Sequence, residues 1–260
     1  MSDTANRTNP DVHPLQAAIG VSLALLIVAT WLVLHVGCVF FWPWTGATAW
    51  LAPLAIALQT WLYVGLFIIA HDCMHGSLAP GQPAVNRWLG RVALALYAAF
   101  DYDEVIVKHF AHHRHPGTAD DPDFDDHRPQ SFWAWYAKFF AEYFGWRQAI
   151  AIGALVLLYQ AVLGVSLANI LVFWALPALL SSLQLFTFGT YLPHRIALPP
   201  FADGHRARTN DYPAWLSLIT CYHFGYHHEH HLRPGVPWWR LPAARRARDA
   251  STAPRASAVP

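Results

Sequence analysis

Two long stretches of this chain carry no formal charge, and they decide its fold class. Residues 12–70 and 148–193 contain no Asp, Glu, Lys or Arg. A helix that crosses the hydrocarbon core needs about 20 apolar residues, so each stretch is long enough for two. Turn signals divide them at residues 42–46 (Trp-Pro-Trp-Thr-Gly) and 164–166 (Gly-Val-Ser). The sequence therefore predicts an all-α integral membrane protein with four transmembrane helices in two hairpins, near residues 15–40, 48–71, 148–164 and 168–192.

The composition agrees with a membrane protein of one domain. Hydrophobic residues make up 55 % of the 260 residues and charged residues 13 %, against roughly 45–50 % and about 25 % in soluble domains. We expect a single domain over residues 1–260, with disordered polar tails at about 1–14 and 243–260. A net charge of +1 gives no reason to expect a nucleic acid partner. The three scattered cysteines do not suggest a disulfide framework, a zinc knuckle or an iron–sulfur cluster.

The distribution of basic residues predicts the orientation. Every Lys and Arg lies outside the two hairpins. By the positive-inside rule, both termini and the middle of the chain face the cytoplasm, and only two short turns reach the other side of the inner (cytoplasmic) membrane. Residues 85–100 and 131–147 are rich in apolar or aromatic side chains but also carry charges. The first is predicted to form a buried or interfacial helix and the second a helix that lies in the headgroup layer of the membrane lipid, so that neither spans the membrane.

Histidines are grouped at spacings that suit metal binding. Eight fall in three groups whose members are three or four residues apart: His71 and His75; His109, His112 and His113; and His227, His230 and His231. On a helix such side chains lie on one face, close enough to converge on the same metal centre. The predicted topology places all three groups at the cytoplasmic face. His194 ends the predicted fourth helix at the same face, and we predict that it is a ninth ligand.

Nine imidazoles exceed what one ion can use, so the sequence predicts two metal ions in a cytoplasmic, histidine-rich cap. Clustered imidazoles would repel one another if protonated, and metal binding keeps them neutral. Imidazole suits iron, copper, nickel and zinc, so the residue types leave the metal open. Four isolated histidines are predicted to be structural: His13, His35, His127 and His205.

Two other classes of membrane protein fit less well. An intramembrane zinc protease would carry His-Glu-x-x-His, whereas position 72 is Asp, one methylene shorter than the required general base. A metal transporter, the non-enzyme alternative, would place ionisable residues along an ion pathway inside its spanning helices. The predicted helices are almost free of such residues.

Several blocks resemble those of a known family. They are residues 71–76 (His-Asp-Cys-Met-His-Gly), 109–113 (His-Phe-Ala-His-His), 120–124 (Asp-Asp-Pro-Asp-Phe), 190–195 (Thr-Tyr-Leu-Pro-His-Arg), 223–231 (His-Phe-Gly-Tyr-His-His-Glu-His-His) and 236–242 (Val-Pro-Trp-Trp-Arg-Leu-Pro). The chain is similar over about residues 65–242 to the bacterial β-carotene ketolases, which belong to the integral-membrane di-iron hydroxylase and desaturase superfamily. The histidine boxes are typical of the superfamily, and the other blocks are similar to the ketolases in particular.

The resemblance implies two Fe ions, bound as Fe2+ in the reduced resting form, and O2 as cosubstrate. It implies oxidation of the C4 methylene of the β-ionone rings of β-carotene to a ketone, giving echinenone or canthaxanthin, by two successive hydroxylations in carotenoid biosynthesis. Because the chain has no flavin or dinucleotide motif, electrons must come from an external donor such as a ferredoxin with its reductase. A carotenoid 3-hydroxylase or a fatty-acid desaturase or hydroxylase would share the boxes and remains the alternative.

Imidazole ligands need partners for their second ring nitrogen, because these partners fix the tautomer. Five carboxylates are predicted to serve: Asp72, Asp120, Asp121, Asp123 and Glu229. Three further histidines are predicted to support the centre without binding metal: His115, His223 and His228. A carotenoid would enter from the bilayer along an aromatic-rich tunnel, for which the candidate residues are Trp88, Tyr97, Phe100 and Trp133.

Overall fold

The computed structural model describes residues 15–197 and 199–252, and within these ranges it contains helices and no β-strand. One isolated bridge joins Thr209 and Tyr226. The all-α prediction is confirmed, while the tail predicted at 1–14 lies outside the described residues. The helices are α1 (Gln16–Phe41), α2 (Gly46–Met74), α3 (Pro83–Ala98), α4 (Tyr102–Arg114), α5 (Phe132–Tyr143), α6 (Trp146–Val162), α7 (Leu167–His194), α8 (Ala214–Cys221), α9 (His227–Leu232) and α10 (Leu241–Thr252).

Three of these helices are long and apolar enough to cross a membrane, namely α1, α2 and α7. The sequence predicted four, and the fourth, α6, forms close to its predicted bounds but is shorter than the others. At 1.5 Å per residue α6 reaches only about 25 Å, against roughly 30 Å for the hydrocarbon core.

The outer helix α1 shows how the chain divides its surface. Ala24, Ile27 and Trp31 are buried at spacings of three and four residues, whereas Leu26 and Val33 are 62 % and 72 % exposed. A helix that is apolar on both faces but packs with only one of them is suited to a lipid environment.

The two short turns of the predicted hairpins contact each other. The indole Nε1 of Trp44, in the α1–α2 turn, donates a 2.6 Å hydrogen bond to Oδ1 of Asn169 at the start of α7. The Asn169 amide nitrogen lies 3.3 Å from the carbonyl oxygens of both Val39 and Trp42. These bonds satisfy a buried amide and place both turns at one end of the molecule. The histidines at the ends of α2 and α7 therefore lie at the other end.

Helix α7 is continuous but irregular. Its turns are widened to the π form at Leu171–Ala175 and at Phe186–Tyr191, and each widened segment ends two residues before a proline, Pro177 or Pro193. A proline cannot donate a backbone hydrogen bond, and its ring clashes with the carbonyl four residues earlier. The wider turn relieves this clash without ending the helix. As a result α7 extends as far as His194.

The middle region folds beside the end of α2. Helix α3, predicted at 85–100, packs against α2 through buried Leu89, Ala93 and Leu94. Ala99 adopts a left-handed conformation that reverses the chain, and the Asp101 carboxylate then accepts hydrogen bonds from the first backbone N–H groups of α4. The single helix predicted over 131–147 is wrong in its extent. It ends at Tyr143, and the chain turns at Gly145 to start α6.

The C-terminal tail predicted to be disordered from residue 243 is instead helical to Thr252. Its composition of Ala and Arg looked polar and irregular, but both are strong helix formers. Ion pairs then attach the helix to the rest of the chain. Arg245 lies 2.6 Å from the carboxylate of Asp211, and Arg248 lies 2.8 Å from that of Glu229.

A close approach at Gly20 fastens α1 to the loop that follows the first histidine group. A Cβ atom at Gly20 would lie 2.1 Å from the carbonyl oxygen of Leu78 and 2.9 Å from the indole of Trp239. Next to it, the amide of Gln16 donates a 2.7 Å hydrogen bond to the carbonyl of Ser77. Only glycine permits this contact, because a backbone carbonyl cannot move aside as a flexible side chain can.

We predict that Gly20→Ala lowers the free energy of unfolding by about 1–3 kcal/mol through overpacking. Gly37→Ala is the control, because Gly37 lies in the same helix and a Cβ there meets no atom within 4 Å. Thermal unfolding of both variants in detergent measures the difference. Equal melting temperatures for the two variants would contradict this packing.

Candidate metal centre

The nine predicted ligands come together in two neighbouring clusters. The first cluster contains five side chains: His71, His75, His109, His113 and His230. The second contains four: His112, His194, His227 and His231. Within each cluster, one ring nitrogen from every member lies within 4.8 Å of the others. The stacked rings of His113 and His231, with centroids 4.3 Å apart, join the two clusters.

The nitrogens that meet are Nε2 atoms. In the first cluster, His230 Nε2 lies 3.1 Å from that of His71 and 3.0 Å from that of His113. In the second, His231 Nε2 lies 3.2 Å from that of His112 and 3.0 Å from that of His227. Two nitrogens that each lie about 2.1 Å from one ion, at right angles, are about 3.0 Å apart. The spacing is therefore that of ligands around a common centre.

Neighbouring histidines serve different clusters. His112 and His113 diverge from α4, and His230 and His231 diverge from α9, because successive residues of a helix point about 100° apart. The sequence analysis expected the triplet in α9 to converge on one centre. The structure corrects this, since His227 and His231 share one cluster and His230 belongs to the other.

Three of the imidazoles are held through their second nitrogen, Nδ1. The carboxylate of Asp72 lies 3.2 Å from Nδ1 of His71, and both oxygens of Asp121 lie 3.0 Å from Nδ1 of His112. Nδ1 of His194 lies 2.8 Å from the backbone carbonyl of Arg206. Each acceptor requires the ring proton to sit on Nδ1, which leaves the Nε2 lone pair directed into the cluster.

The two carboxylates are themselves fixed. The backbone N–H of Trp238 donates to Asp72 at 3.0 Å. The N–H groups of Gly117 and Asp123 donate to Asp121 at 2.8 and 2.9 Å. Both carboxylates are buried, so these donors compensate for lost hydration. The positions of Asp72 and Asp121 therefore suit the role predicted for them, which is to accept a hydrogen bond from the second ring nitrogen of a histidine. The backbone partners, including the carbonyl of Arg206, left no signal in the sequence.

Asp123 takes a different place from its neighbour. One of its oxygens accepts a 2.5 Å hydrogen bond from the hydroxyl of Tyr143, and the other lies 3.8 Å from Nδ1 of His112, beyond hydrogen-bond range. Asp123 therefore lies beside the second cluster without holding a ring. The sequence did not single out Tyr143.

The structure does not bring the other predicted supporting residues to the clusters. Asp120 and His115 are exposed, because the loop after α4 turns them outward. Glu229 is buried but pairs with Arg248 and accepts a hydrogen bond from Thr209. His228 lies 2.8 Å from Asp203, on the side of α9 that faces away from the clusters.

Five more histidines carried predictions, and four of them lie in the part of the chain that the structure describes. His223 packs against Tyr226 and Trp238, in contact with neither cluster. His35 stacks on Trp31, with ring centroids 4.8 Å apart, and lies 3.4 Å from the Tyr159 hydroxyl, in keeping with a structural role. The ring of His205 lies 6.1 Å from that of His231. His127 is exposed, and His13 lies outside the described residues.

Burial keeps the clustered imidazoles neutral. Desolvation and the neighbouring rings lower the pKa of His75 to about 3 and that of His230 well below its usual value. His112 is the exception. Burial lowers its pKa too, but the hydrogen bond and charge of Asp121 outweigh this effect and raise it. Neutral imidazoles are the form that binds metal.

The clusters fit a di-iron centre. The Nε2 atom of His194 is buried and has no hydrogen-bond partner among the described residues, although it faces the rings of His112 and His227. A buried nitrogen without a partner is costly, and a metal ion would satisfy it. Iron accepts imidazole ligands, and two clusters of five and four nitrogens offer sites for two ions.

An apolar cavity of about 310 Å³ opens onto the clusters. Four cluster histidines form part of its wall: His71, His109, His112 and His227. The rest is mainly aliphatic and aromatic, with Phe67, Phe139 and Phe224 among the lining residues. Of the predicted tunnel residues, Tyr97 and Phe100 line the cavity. Trp88 and Trp133 do not belong to this wall, since they are 63 % and 67 % exposed.

Comparison with known proteins identifies the family. The family described as "Fatty acid desaturase" matches residues 48–152 and 140–259. A "Beta-carotene ketolase" of Paracoccus sp. (strain N81106 / MBIC 01143) is 51 % identical over 220 residues, covering 84 % of this chain and 89 % of the relative. The chain belongs to the β-carotene ketolase family. The resemblance predicted from the sequence is thus confirmed, and the protein is an oxidoreductase, not a metal transporter.

More distant relatives place the ketolase family in a wider group. A "Beta-carotene ketolase" of Haematococcus lacustris is 38 % identical over 261 residues, covering 90 % of this chain and 81 % of the relative. An "sn-1 oleoyl-lipid 12-desaturase" of Picosynechococcus sp. is 24 % identical over 291 residues, with 92 % and 78 % covered.

We predict that Asp121→Ala lowers activity and metal affinity by about 10- to 100-fold, because His112 loses the acceptor that fixes its tautomer. Asp120→Ala removes the same group from the adjacent, exposed position and should leave both unchanged. Metal analysis of the purified variants and product assays measure the two effects. Equal losses in both variants would show that the loop, and not the carboxylate contact, is what matters.

Proposed function

We propose that this protein oxidises the C4 methylene of the β-ionone rings of β-carotene to a ketone, with two Fe ions held by the nine clustered histidines. The observation that carries the proposal is the position of two all-imidazole clusters at the wall of an apolar cavity. The names of the relatives that cover most of the chain support the choice of substrate.

The histidines would bind the metal ions, and their hydrogen-bond partners would orient the rings. The first cluster would hold one ion and the second the other, with Asp72, Asp121 and the Arg206 carbonyl fixing three of the rings. When bound, the iron pair would supply the activation of O2 that hydroxylation of this allylic methylene requires. Each of the two rounds consumes one O2, two electrons and two protons. One oxygen atom enters the substrate and the other leaves as water. The second round gives a geminal diol, which loses water to leave the ketone.

The cavity positions the ring and excludes water. Its volume of about 310 Å³ is at the lower end of the range for small-molecule sites. It therefore suits one ring end of a long polyene whose remainder lies toward the bilayer. Phe224 lines the cavity beside both clusters, with its ring centroid 4.4 Å from that of His71 and 4.8 Å from that of His227. Phe224 therefore forms an apolar surface next to the imidazoles, and the substrate ring can pack against it.

The proposed membrane arrangement has four spanning helices in two hairpins. Helix α6 completes the second hairpin despite its length, because a short span is accommodated by local thinning of the bilayer or by flanking residues. The contact between the two turns supports a common far side. The clusters then face the cytoplasm, where an external electron donor such as a ferredoxin has access.

The proposal predicts that a β-carotene-producing bacterium expressing this chain accumulates echinenone and canthaxanthin, and that the purified protein contains about two iron atoms per chain. Pigment chromatography and metal analysis are the measurements. His230→Ala should abolish ketone formation because His230 Nε2 is central to the first cluster, whereas His127→Ala should have no effect. Ring hydroxylation at C3, desaturated lipids without new pigments, or a single zinc ion would each contradict the proposal.

The topology has its own test. Reporters fused after Gly46 and after Val165 should appear on the far side of the membrane, and reporters after Pro80, Pro129 and the C-terminus should stay cytoplasmic. The physical reason is the absence of Lys and Arg near the two turns. A far-side signal after Pro129 would place α4 and the end of α2 on opposite faces, which is incompatible with a shared cluster.

A further inference from the structure

The wall of the apolar cavity includes a carboxylate that holds no ring of either cluster. Asp123 and Tyr143 both line the cavity, and Tyr143 donates its hydroxyl proton to Oδ1 of Asp123 at 2.5 Å. Asp123 is the single carboxylate among the described residues of the cavity wall. A carboxylate facing an apolar cavity is costly unless it has a partner.

The second oxygen of this carboxylate is available. Oδ2 lies 3.8 Å from Nδ1 of His112, too far for a hydrogen bond, and the N–H at that nitrogen is already accepted by Asp121. Among the described residues no other group donates a hydrogen bond to Oδ2, and the Asp123 side chain is 13 % exposed. Oδ2 can therefore accept a hydrogen bond from a molecule in the cavity.

Hydrogen bonds fix the backbone of Asp123 and of the residues on either side of it. Its backbone N–H donates to Asp121 at 2.9 Å, and its carbonyl accepts from the indole of Trp135 at 2.6 Å. On either side of it, the ammonium of Lys138 donates to the carbonyls of Pro122 and Phe124, each at 2.7 Å. Trp135, Lys138 and Tyr143 are all residues of α5, so one helix fixes both the backbone and the side chain of Asp123.

Serine and threonine on the same wall offer no equivalent site. The hydroxyl of Ser182 is engaged by the hydroxyl of Tyr136 at 2.7 Å and by the carbonyl of Leu179 at 2.9 Å. Thr190 is buried and carries no charge. Hydrogen bonds to a charged acceptor are about twice as strong as those to a neutral one. A hydroxyl group in this cavity therefore binds the Asp123 carboxylate in preference to Ser182 or Thr190.

We propose that the Asp123 carboxylate, oriented by Tyr143, binds the hydroxyl of the alcohol formed in the first oxidation and holds its carbon beside the clusters for the second. This rests on the proposed function, because the alcohol must be bound for a second oxidation only if the ketone forms in two rounds. β-Carotene has no hydroxyl group, so its own binding does not use this contact. The same contact would accept a carotenoid that already carries a hydroxyl on the ring.

The chemistry balances without a further reactant. In the second round the carbinol C–H bond is broken and a C–O bond forms, with one O2 and two electrons from the external donor. One oxygen atom enters the geminal diol, and the other leaves as water with two protons. The diol then loses water to give the ketone. Asp123 accepts a hydrogen bond throughout and exchanges no electrons, so it is a positioning residue for this reaction.

The test measures two products separately, using the full-length protein in membranes supplied with β-carotene and, in parallel, with its 4-hydroxy derivative. Asp123→Ala should raise the ratio of released alcohol to ketone by about 10- to 100-fold, from the loss of a hydrogen bond to a charged group. Consumption of β-carotene should change little. The KM for the 4-hydroxy derivative should rise while that for β-carotene does not. Tyr143→Phe should shift the ratio in the same direction by a smaller factor.

Tyr136→Phe is the matched control. It removes a phenol hydroxyl from the same helix, one that bonds Ser182 and does not belong to the cavity wall, and it should leave the product ratio unchanged. If Asp123→Ala does not retain iron, Tyr143→Phe alone decides.

An unchanged ratio in variants that retain iron would overturn this inference while leaving the proposed function intact. A parallel loss of both oxidations would also overturn it, because that result would mean that Asp123 acts through His112. Failure of the unmodified protein to form either product would instead overturn the proposed function.

Discussion

The rest of this structure depends on the burial of many imidazoles in one place. Nine rings meet near the ends of α2 and α7, in surroundings where a charge is costly, and binding a metal requires them to be neutral. A buried neutral imidazole still needs partners at both nitrogens. The protein supplies Nδ1 partners from Asp72, Asp121 and a backbone carbonyl, and it turns the Nε2 atoms toward one another. A metal ion in each cluster would satisfy the Nε2 atoms that face one another, so the proposed di-iron centre would also stabilise the fold.

Much of the chain outside the long helices supports this centre. The loop after α4 positions Asp121 against His112, and α5 fixes that loop through hydrogen bonds from Trp135 and Lys138. On the other side, the loop after α2 is fastened by Gln16 and by the close approach of Gly20. The irregular turns of α7 let two prolines remain in a helix that still delivers His194. These features look unrelated along the sequence, but they act on the same few side chains.

The sequence predicted the all-α fold and pointed to the histidines that meet in the clusters, because both follow from local patterns. Charge-free runs predicted the long helices, histidine spacing selected eight of the side chains that come together, and the end of the predicted fourth helix added His194. Other features depend on tertiary contacts that no local pattern reports. Asp120 and Asp121 are identical neighbours, and only the conformation of their loop sends one outward and the other to His112. The helix at 241–252 likewise forms against Asp211 and Glu229, which lie well before it in the chain. Tyr143 likewise reaches Asp123 only because α5 ends beside that carboxylate.

The divergence of adjacent histidines has a consequence for how the enzyme is assembled. Helices α4 and α9 each contribute histidines to both clusters. In the proposed di-iron centre, an ion bound in one cluster would therefore also orient ligands of the other. Loss of one ion would remove part of the support for the second. Binding of the two ions would then be cooperative, which favours molecules with two ions or none over molecules with one.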